Sequence, residues 1–307
     1  MTPGGLYRSL LLRGVRGTFD FWQRLGFHVT PVHYEEAIPD TRTLPAELWH
    51  GSRDMPGVEW NGPAQLALLA ELARAHGADY ARLPRARTDD PHQYALQNGS
   101  FESVDGELLY ALLRRLKPRR VIEVGSGNST LLTAQALREN AAEAPGAPPP
   151  EFTAYEPWPG ARLRAGVPGL TRLAPLRAQE IPPEAFAALE ANDVLFIDSS
   201  HVVQVGGDVT HLFFQVLPRL APGVVVHLHD IFLPREYPRA WVMEQHRFWT
   251  EQYLLQAFLQ FNREFEVLLS AGWLCAQHPE ALAAAIPSWD AGRSRPGSFW
   301  MRRVAGG

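Results

Sequence analysis

Val121-Ile122-Glu123-Val124-Gly125-Ser126-Gly127-Asn128-Ser129 is the stretch that decides how this chain reads. Val121 to Val124 is a short buried strand, and a helix follows from about Ser129 to Arg138. The two glycines between them let the backbone turn tightly and approach a ligand, while the helix offers its N-terminal N–H groups. A Gly-x-Gly alone is common in strand-to-helix turns. Two neighbours sharpen it: Glu123 stands where a dinucleotide fingerprint keeps an apolar strand residue, and Thr130 where that fingerprint needs a third glycine. A pyrophosphate is badly matched to this carboxylate. A phosphate-free ligand with an ammonium and a sulfonium is well matched.

Outward from this turn the chain alternates helix and strand, the pattern of a parallel sheet. Upstream, Val104 to Leu116 has Leu108, Leu109, Leu112, Leu113 and Leu116 on one helical face and is broken by Pro118. Downstream, the spacing predicts strands at Phe152 to Tyr155, Leu173 to Leu176, Val194 to Ile197, Val224 to Leu228 and Phe265 to Leu269. Ser298 to Arg302 is short enough for a last edge strand. Ala144 to Pro150 is a Pro-rich surface loop, Gly207 to Leu220 a helix, and Trp241 to Phe261 a long aromatic-rich helix. Residues 1–97 are rich in Pro, Trp, Tyr and His. They read as a mainly helical or irregular cap on a domain at 98–307, with one good helix at Ala64 to His76 that Gly77 stops after a stripe of Leu66, Leu69, Ala70 and Ala73. Leu6 to Phe27 carries four arginines among Leu, Phe and Trp, which suits packing on the main domain better than a membrane surface.

Composition narrows the function. At 46% hydrophobic and 20% charged, 307 residues can bury one large or two modest cores, so general disorder is excluded. The net charge of −4 gives no positive field to draw the chain onto nucleic acid. Cys275 is the single cysteine, which excludes an internal disulfide and a thiolate zinc cluster and fits a reducing compartment, so cytoplasm is the expected location. Arg8, Arg13 and Arg16 interrupt the apolar run Leu10 to Leu12, and no run of about 18 apolar residues is present, so neither export by a signal nor a membrane span is expected.

Glu156 ends the second strand, where a carboxylate can accept both hydroxyls of a ribose. Asp198-Ser199-Ser200-His201 follows the fourth strand and His227-Leu228-His229-Asp230 spans the end of the fifth. Both strand ends open on one edge of a doubly wound sheet. Alternation puts His227 on the same face as Val225, as a core histidine with its hydrogen bonds satisfied.

With these residues the chain from Asn98 to Arg303 resembles the class I S-adenosylmethionine-dependent methyltransferases, and its second half the metal-dependent catechol and macrolide-sugar O-methyltransferases, with the cephalosporin hydroxylases as relatives. The resemblance implies a Rossmann-like, seven-stranded, mostly parallel sheet with a final antiparallel strand. It implies that Glu123, Gly125, Ser126, Gly127, Asn128 and Ser129 meet the cofactor, the two glycines passing under its methionine part, with Glu156 on the ribose, Gln179 near the adenine, and Asp198 beside the methyl. Asn98-Gly99-Ser100-Phe101 would cover the cofactor. Asp198 and Asp230 fall where this branch holds magnesium or manganese, but His229 replaces its second carboxylate or amide. A lone imidazole is a poor magnesium ligand, which leaves two readings open: a two-carboxylate metal site completed by His229 or His201, or no metal, with His201 or His229 as base and Asp230 beside it. The insert from Pro234 to Tyr253, with Trp241, Trp249 and Tyr253, suits a sugar or polyhydroxylated ring. The expected function is O-methylation of a small-molecule or glycan hydroxyl. A metal-dependent oxygenase or hydrolase, and a non-catalytic cofactor-binding partner protein, are the alternatives.

Overall fold

The computed structural model describes residues 13–304. Seven strands form one sheet in the order β3-β2-β1-β4-β5-β7-β6, with β1 Arg120–Val124, β2 Glu151–Tyr155, β3 Arg172–Ala174, β4 Val194–Ile197, β5 Val225–Leu228, β6 Phe265–Ser270 and β7 Phe299–Arg303. All run parallel except β7, which pairs antiparallel with both β5 and β6. This is the Rossmann-like sheet expected. The registers Val124↔Ile197 and Ile197↔Leu228 bring the carboxyl ends of β1, β4 and β5 level, so the residues after them share one edge. The strand order turns back between β1 and β4, which opens a crevice at that edge.

Both faces of the sheet are covered, so its strands read as continuous apolar runs. Leu108 and Leu112 of the helix Asp105–Leu116 and Leu131 of the helix Asn128–Glu143 pack with Phe152, Phe196 and Trp300 on one face. Ile122, Leu195, Val226 and Met301 point the other way, onto Leu212, Phe213 and Leu255. Pro118 and a left-handed Lys117 (φ 47°) end the first of these helices, as the sequence predicts.

Several expectations need correction. β7 is not an edge: it lies between β5 and β6, and Phe299, Trp300 and Met301 are fully buried because both of its sides are paired. The helix foreseen at Ala64 to His76 runs Gly62–Tyr80, straight through Gly77, and buries Gln65, Leu69, Leu72 and Tyr80 while Ala70 faces out. Gly207 to Leu220 is an α-turn at Asp208–His211, a π-turn at Leu212–Val216 and a 3₁₀ turn at Leu217–Arg219. The long helix from Trp241 to Phe261 is two short ones, Arg239–Met243 and Glu251–Leu259, separated by a break in which His246 is left-handed. The helices Ala271–Gln277 and Pro279–Ala285 were not foreseen.

The chain forms two compact units, Met1–His50 with Pro238–Phe248, and Gly51–Tyr237 with Trp249–Gly307. The helix Gly62–Tyr80 packs on β6 and on the helix Asp105–Leu116, within the sheet unit. In the first unit the described elements are short, Phe19–Arg24, Thr41–Thr43 and Ala46–Trp49, with the Arg239 guanidinium over the Trp49 ring. Of the arginine-bearing stretch Leu6 to Phe27, residues 6–12 lie outside the described residues. No helix among the described residues is long and apolar enough to cross a membrane.

Candidate active site at the carboxyl edge of the sheet

The two glycines of the β1 turn do different work. Gly125 has φ +87°, and a Cβ there would fall 1.8 Å from the Asp198 carbonyl oxygen, so glycine is required for β1 and β4 to end side by side. Gly127 is extended, and no described atom lies within 4 Å of where its Cβ would be. The protein itself does not need that space. The Gly127 N–H donates to Thr130 Oγ1 at 2.9 Å, so Thr130, in the place of a third glycine, caps the helix Asn128–Glu143.

Glu123 is wholly buried behind this turn and accepts the Ser129 hydroxyl at 2.6 Å, while Oε2 has no partner among the described residues. Burial pushes its pKa up to about 8 against the hydrogen bonds from Ser129 and Thr130. Glu156 accepts the Ser126 N–H at 3.2 Å and the Trp158 N–H at 2.9 Å. Asn128 donates to Asn98 Oδ1 (3.0 Å) and Ser100 Oγ (2.9 Å), which ties the Asn98–Phe101 turn to the glycine loop. Gln179 donates to the Gly206 carbonyl at 2.8 Å. Gly125, Glu156, Gln179 and Asp198 line one cavity of about 550 Å³ at the carboxyl ends of β1, β2 and β4, together with Arg177 and Asp208. That volume takes a nucleoside-sized ligand.

At the far end of this crevice a histidine–carboxylate cluster is gathered. His201 Nε2 lies 3.2 Å from Asp198 Oδ1 and 3.7 Å from Asp230 Oδ2, and His201 Nδ1 lies 2.9 Å from Glu251 Oε2. His201 (φ +60°) and Asp230 (φ +56°) are both left-handed, a conformation that costs a non-glycine residue energy and collects at functional sites. Burial works against a charged His201 ring, yet the hydrogen bonds to Asp198 and Glu251 outweigh it and hold its pKa well above the ordinary histidine value. Burial likewise opposes ionisation of Asp198, but His229 and His201 keep it below the usual carboxylate range. Asp230 and Glu251 are raised, by burial above all.

Asp198, His201 and Asp230 each offer a donor atom, all within 4.8 Å of one another. Two carboxylates and an imidazole suit a transition-metal dication better than magnesium. His229 does not join this triplet: its Nε2 is 3.6 Å from Asp230 Oδ1, and its Nδ1 has no partner among the described residues. Of the two histidines named from sequence, His201 is the one that converges with both aspartates. His227 corrects another expectation. It is fully buried against Phe196 and Trp300, but neither ring nitrogen has a hydrogen-bond partner among the described residues, and burial first, then His229, holds its pKa well below the ordinary value.

Two residues escaped the sequence reading. Asp208 accepts the Ser200 N–H at 2.8 Å and the Ser200 hydroxyl at 2.5 Å, which fixes the turn between Asp198 and His201. Glu251 reaches His201 from fifty positions away, and no local pattern in Thr250-Glu251-Gln252 announces it.

Residues 122–231 match the family model described as a methyltransferase domain. The matched stretch is similar to that family; it runs from β1 to the residue after Asp230 and leaves Glu251 outside. No curated protein matches the chain. Among solved structures, an O-methyltransferase from Bacillus cereus in complex with SAH is similar at 14% identity and a TM-score of 0.40, covering 78% of this chain and 91% of its own. An SAH-bound methyltransferase from Podospora anserina is similar at 16% identity and a TM-score of 0.39, covering 91% of this chain and 100% of its own.

Proposed function

We propose that this protein transfers a methyl group from S-adenosylmethionine to a hydroxyl of a small-molecule or glycan acceptor. The observation that carries the reading is the position of Asp198, which lines the 550 Å³ cavity and also stands 3.2 Å from His201 in the buried cluster. One residue thus joins a nucleoside-sized site to a site for moving a proton.

The cavity wall favours this cofactor on charge. Glu156, Asp198 and Asp208 face it against a single guanidinium, Arg177, so a pyrophosphate would be repelled and a sulfonium with an ammonium attracted. When bound, the cofactor supplies an electrophilic methyl. Transfer forms a carbon–oxygen bond and breaks a carbon–sulfur bond in line, and the hydroxyl proton must leave. Glu156 would accept ribose hydroxyls, and the open space at Gly127 would let the methionine part lie against backbone. His201 and Asp230 are the groups beside Asp198 that can take and hold the acceptor proton. The Asp198, His201 and Asp230 donors fit a divalent ion, whose charge would lower the acceptor pKa.

Isothermal titration tests the reading: S-adenosylmethionine should bind more tightly than NADH, and a hydroxyl acceptor should gain a methyl group by mass. Tighter binding of NADH would refute it. The same one-histidine, two-carboxylate set favours one second reading, a metal-dependent oxygenase or hydrolase. Consumption of oxygen, or hydrolysis without methyl transfer, by the metal-loaded protein would distinguish it.

A further inference from the structure

Trp249, Thr250 and Glu251 hold His201 from three sides. The Trp249 ring lies on the imidazole with centroids 4.3 Å apart. The backbone N–H groups of Thr250 and Glu251 both donate to the His201 carbonyl, at 2.9 and 3.1 Å, and Thr250 Oγ1 accepts the Val203 N–H at 2.7 Å. The Glu251 carboxylate then meets Nδ1 at 2.9 Å. Because an ionised carboxylate only accepts, it puts a proton on Nδ1 and leaves Nε2 facing Asp198 and Asp230.

This is more than a loop needs in order to pack. Glu251 is 1% exposed, its Oε1 has no partner among the described residues, and none of Asp198, Asp230 and Glu251 pairs with a lysine or arginine there. Three carboxylates are gathered around one imidazole, itself 4% exposed, and the positive charge that faces them comes from titratable rings, His201 and His229, rather than from a lysine or arginine. A carboxylate on the rear nitrogen of an imidazole is also the arrangement that orients metal-binding histidines and raises their basicity.

We propose that Glu251 is a positioning residue that makes His201 Nε2 the third donor of a dication site with Asp198 and Asp230, and that this imidazole gives the site a preference for a transition-metal dication, of the manganese, cobalt or zinc kind, over magnesium. The proposal deepens the methyltransferase reading and rests on it for the use of the metal. The geometry accounts for both halves. The carboxylates supply charge that any hard dication would accept, while nitrogen ligation raises affinity along the transition series and does little for magnesium.

The test strips the full-length protein with a chelator and titrates cobalt(II), following visible absorption and heat. The wild type should bind one equivalent that tenfold excess magnesium does not displace. Glu251→Gln should bind roughly 10- to 100-fold more weakly, the usual effect of removing such an outer partner, with Glu251→Asp recovering part of the loss. S-adenosylmethionine titrated into the same samples reports separately on folding and on the methyltransferase reading. In the zinc-loaded wild type, long-range proton–nitrogen spectra should place the metal on Nε2 and the proton on Nδ1, which needs no variant to fold. Cofactor binding with no cobalt bound, displacement of cobalt by equimolar magnesium, wild-type cobalt affinity in Glu251→Gln, or zinc on Nδ1 would each overturn the proposal.

Discussion

Replacing Glu123 by Gln tests the electrostatics of the β1 turn without changing its shape. The carboxyl is wholly buried, with its pKa moved from an ordinary 4.5 to about 8 chiefly by burial. Between those two values the folded protein holds a proton that the unfolded chain has released, so the native state binds more protons and stability must fall as pH rises. The full shift is worth about 5 kcal/mol, and the part spent by pH 7 about 3 kcal/mol. The glutamine keeps an oxygen to accept from Ser129 and does not titrate. The ligand-free variant should therefore match the wild type near pH 4 and exceed it increasingly towards pH 8, by roughly 5 °C in Tm at pH 7. Paired thermal melts at half-unit steps from pH 4 to 8.5 cancel all other titrations in the difference. A cationic ligand placed beside Glu123 should also draw its proton off, so at pH 7 the wild type should release up to about one more proton per S-adenosylmethionine bound than the variant does. Melting curves that stay parallel across the range would refute the reasoning.

The remaining predictions concern the neighbouring positions. Glu156→Ala should weaken S-adenosylmethionine binding by about 2 to 4 kcal/mol in calorimetry, since two charge-assisted hydrogen bonds are lost; an unchanged affinity would remove the ribose assignment. Gly127→Ala should melt with the wild type yet bind the cofactor at least tenfold more weakly, whereas Gly125→Ala should disrupt the fold because its methyl meets the Asp198 carbonyl. Equal cofactor affinity in Gly127→Ala would show that no ligand uses that space. His201→Ala should lower kcat by roughly 10²- to 10⁴-fold. If His201 is the base, the rate should rise with pH through a value above the ordinary histidine pKa, because the hydrogen bonds to Asp198 and Glu251 overcome burial and raise it; an unchanged pH–rate profile and kcat in His201→Ala would remove it from the mechanism.

Strands that sit wholly inside the sheet were legible because a short apolar run bounded by turn residues has few other uses. Val194–Ile197 was placed to the residue. Strand order was not legible: nothing in Ser298 to Arg302 says which two strands it joins, although three consecutive large apolar residues there argue for pairing on both sides. The helix expected from Trp241 to Phe261 failed because aromatic residues at helical spacing persist through 244–250, where the backbone departs from the helix. On the site, Gly125, Glu156, Asp198 and Asp230 were visible because each follows a strand end, and the fold sends strand ends to one edge. Glu251 follows no strand. The alternation around His227 reports its burial, which is periodic, and carries no information on its hydrogen bonding, which is not.

The chain leaves the sheet unit after Tyr237 and re-enters it at Trp249, and the rings of those two residues meet edge to face with centroids 6.2 Å apart. The eleven residues between them, Pro238–Phe248, are thus a closed excursion whose two ends are already held together by aromatic packing. Loop-closure entropy rises only with the logarithm of length, so doubling such an excursion adds about 0.6 kcal/mol. Tyr237 and Trp249 therefore form a natural splice point for protein engineering. Segments of different length and composition can be grafted between them while the sheet and the carboxylates at its edge keep their places.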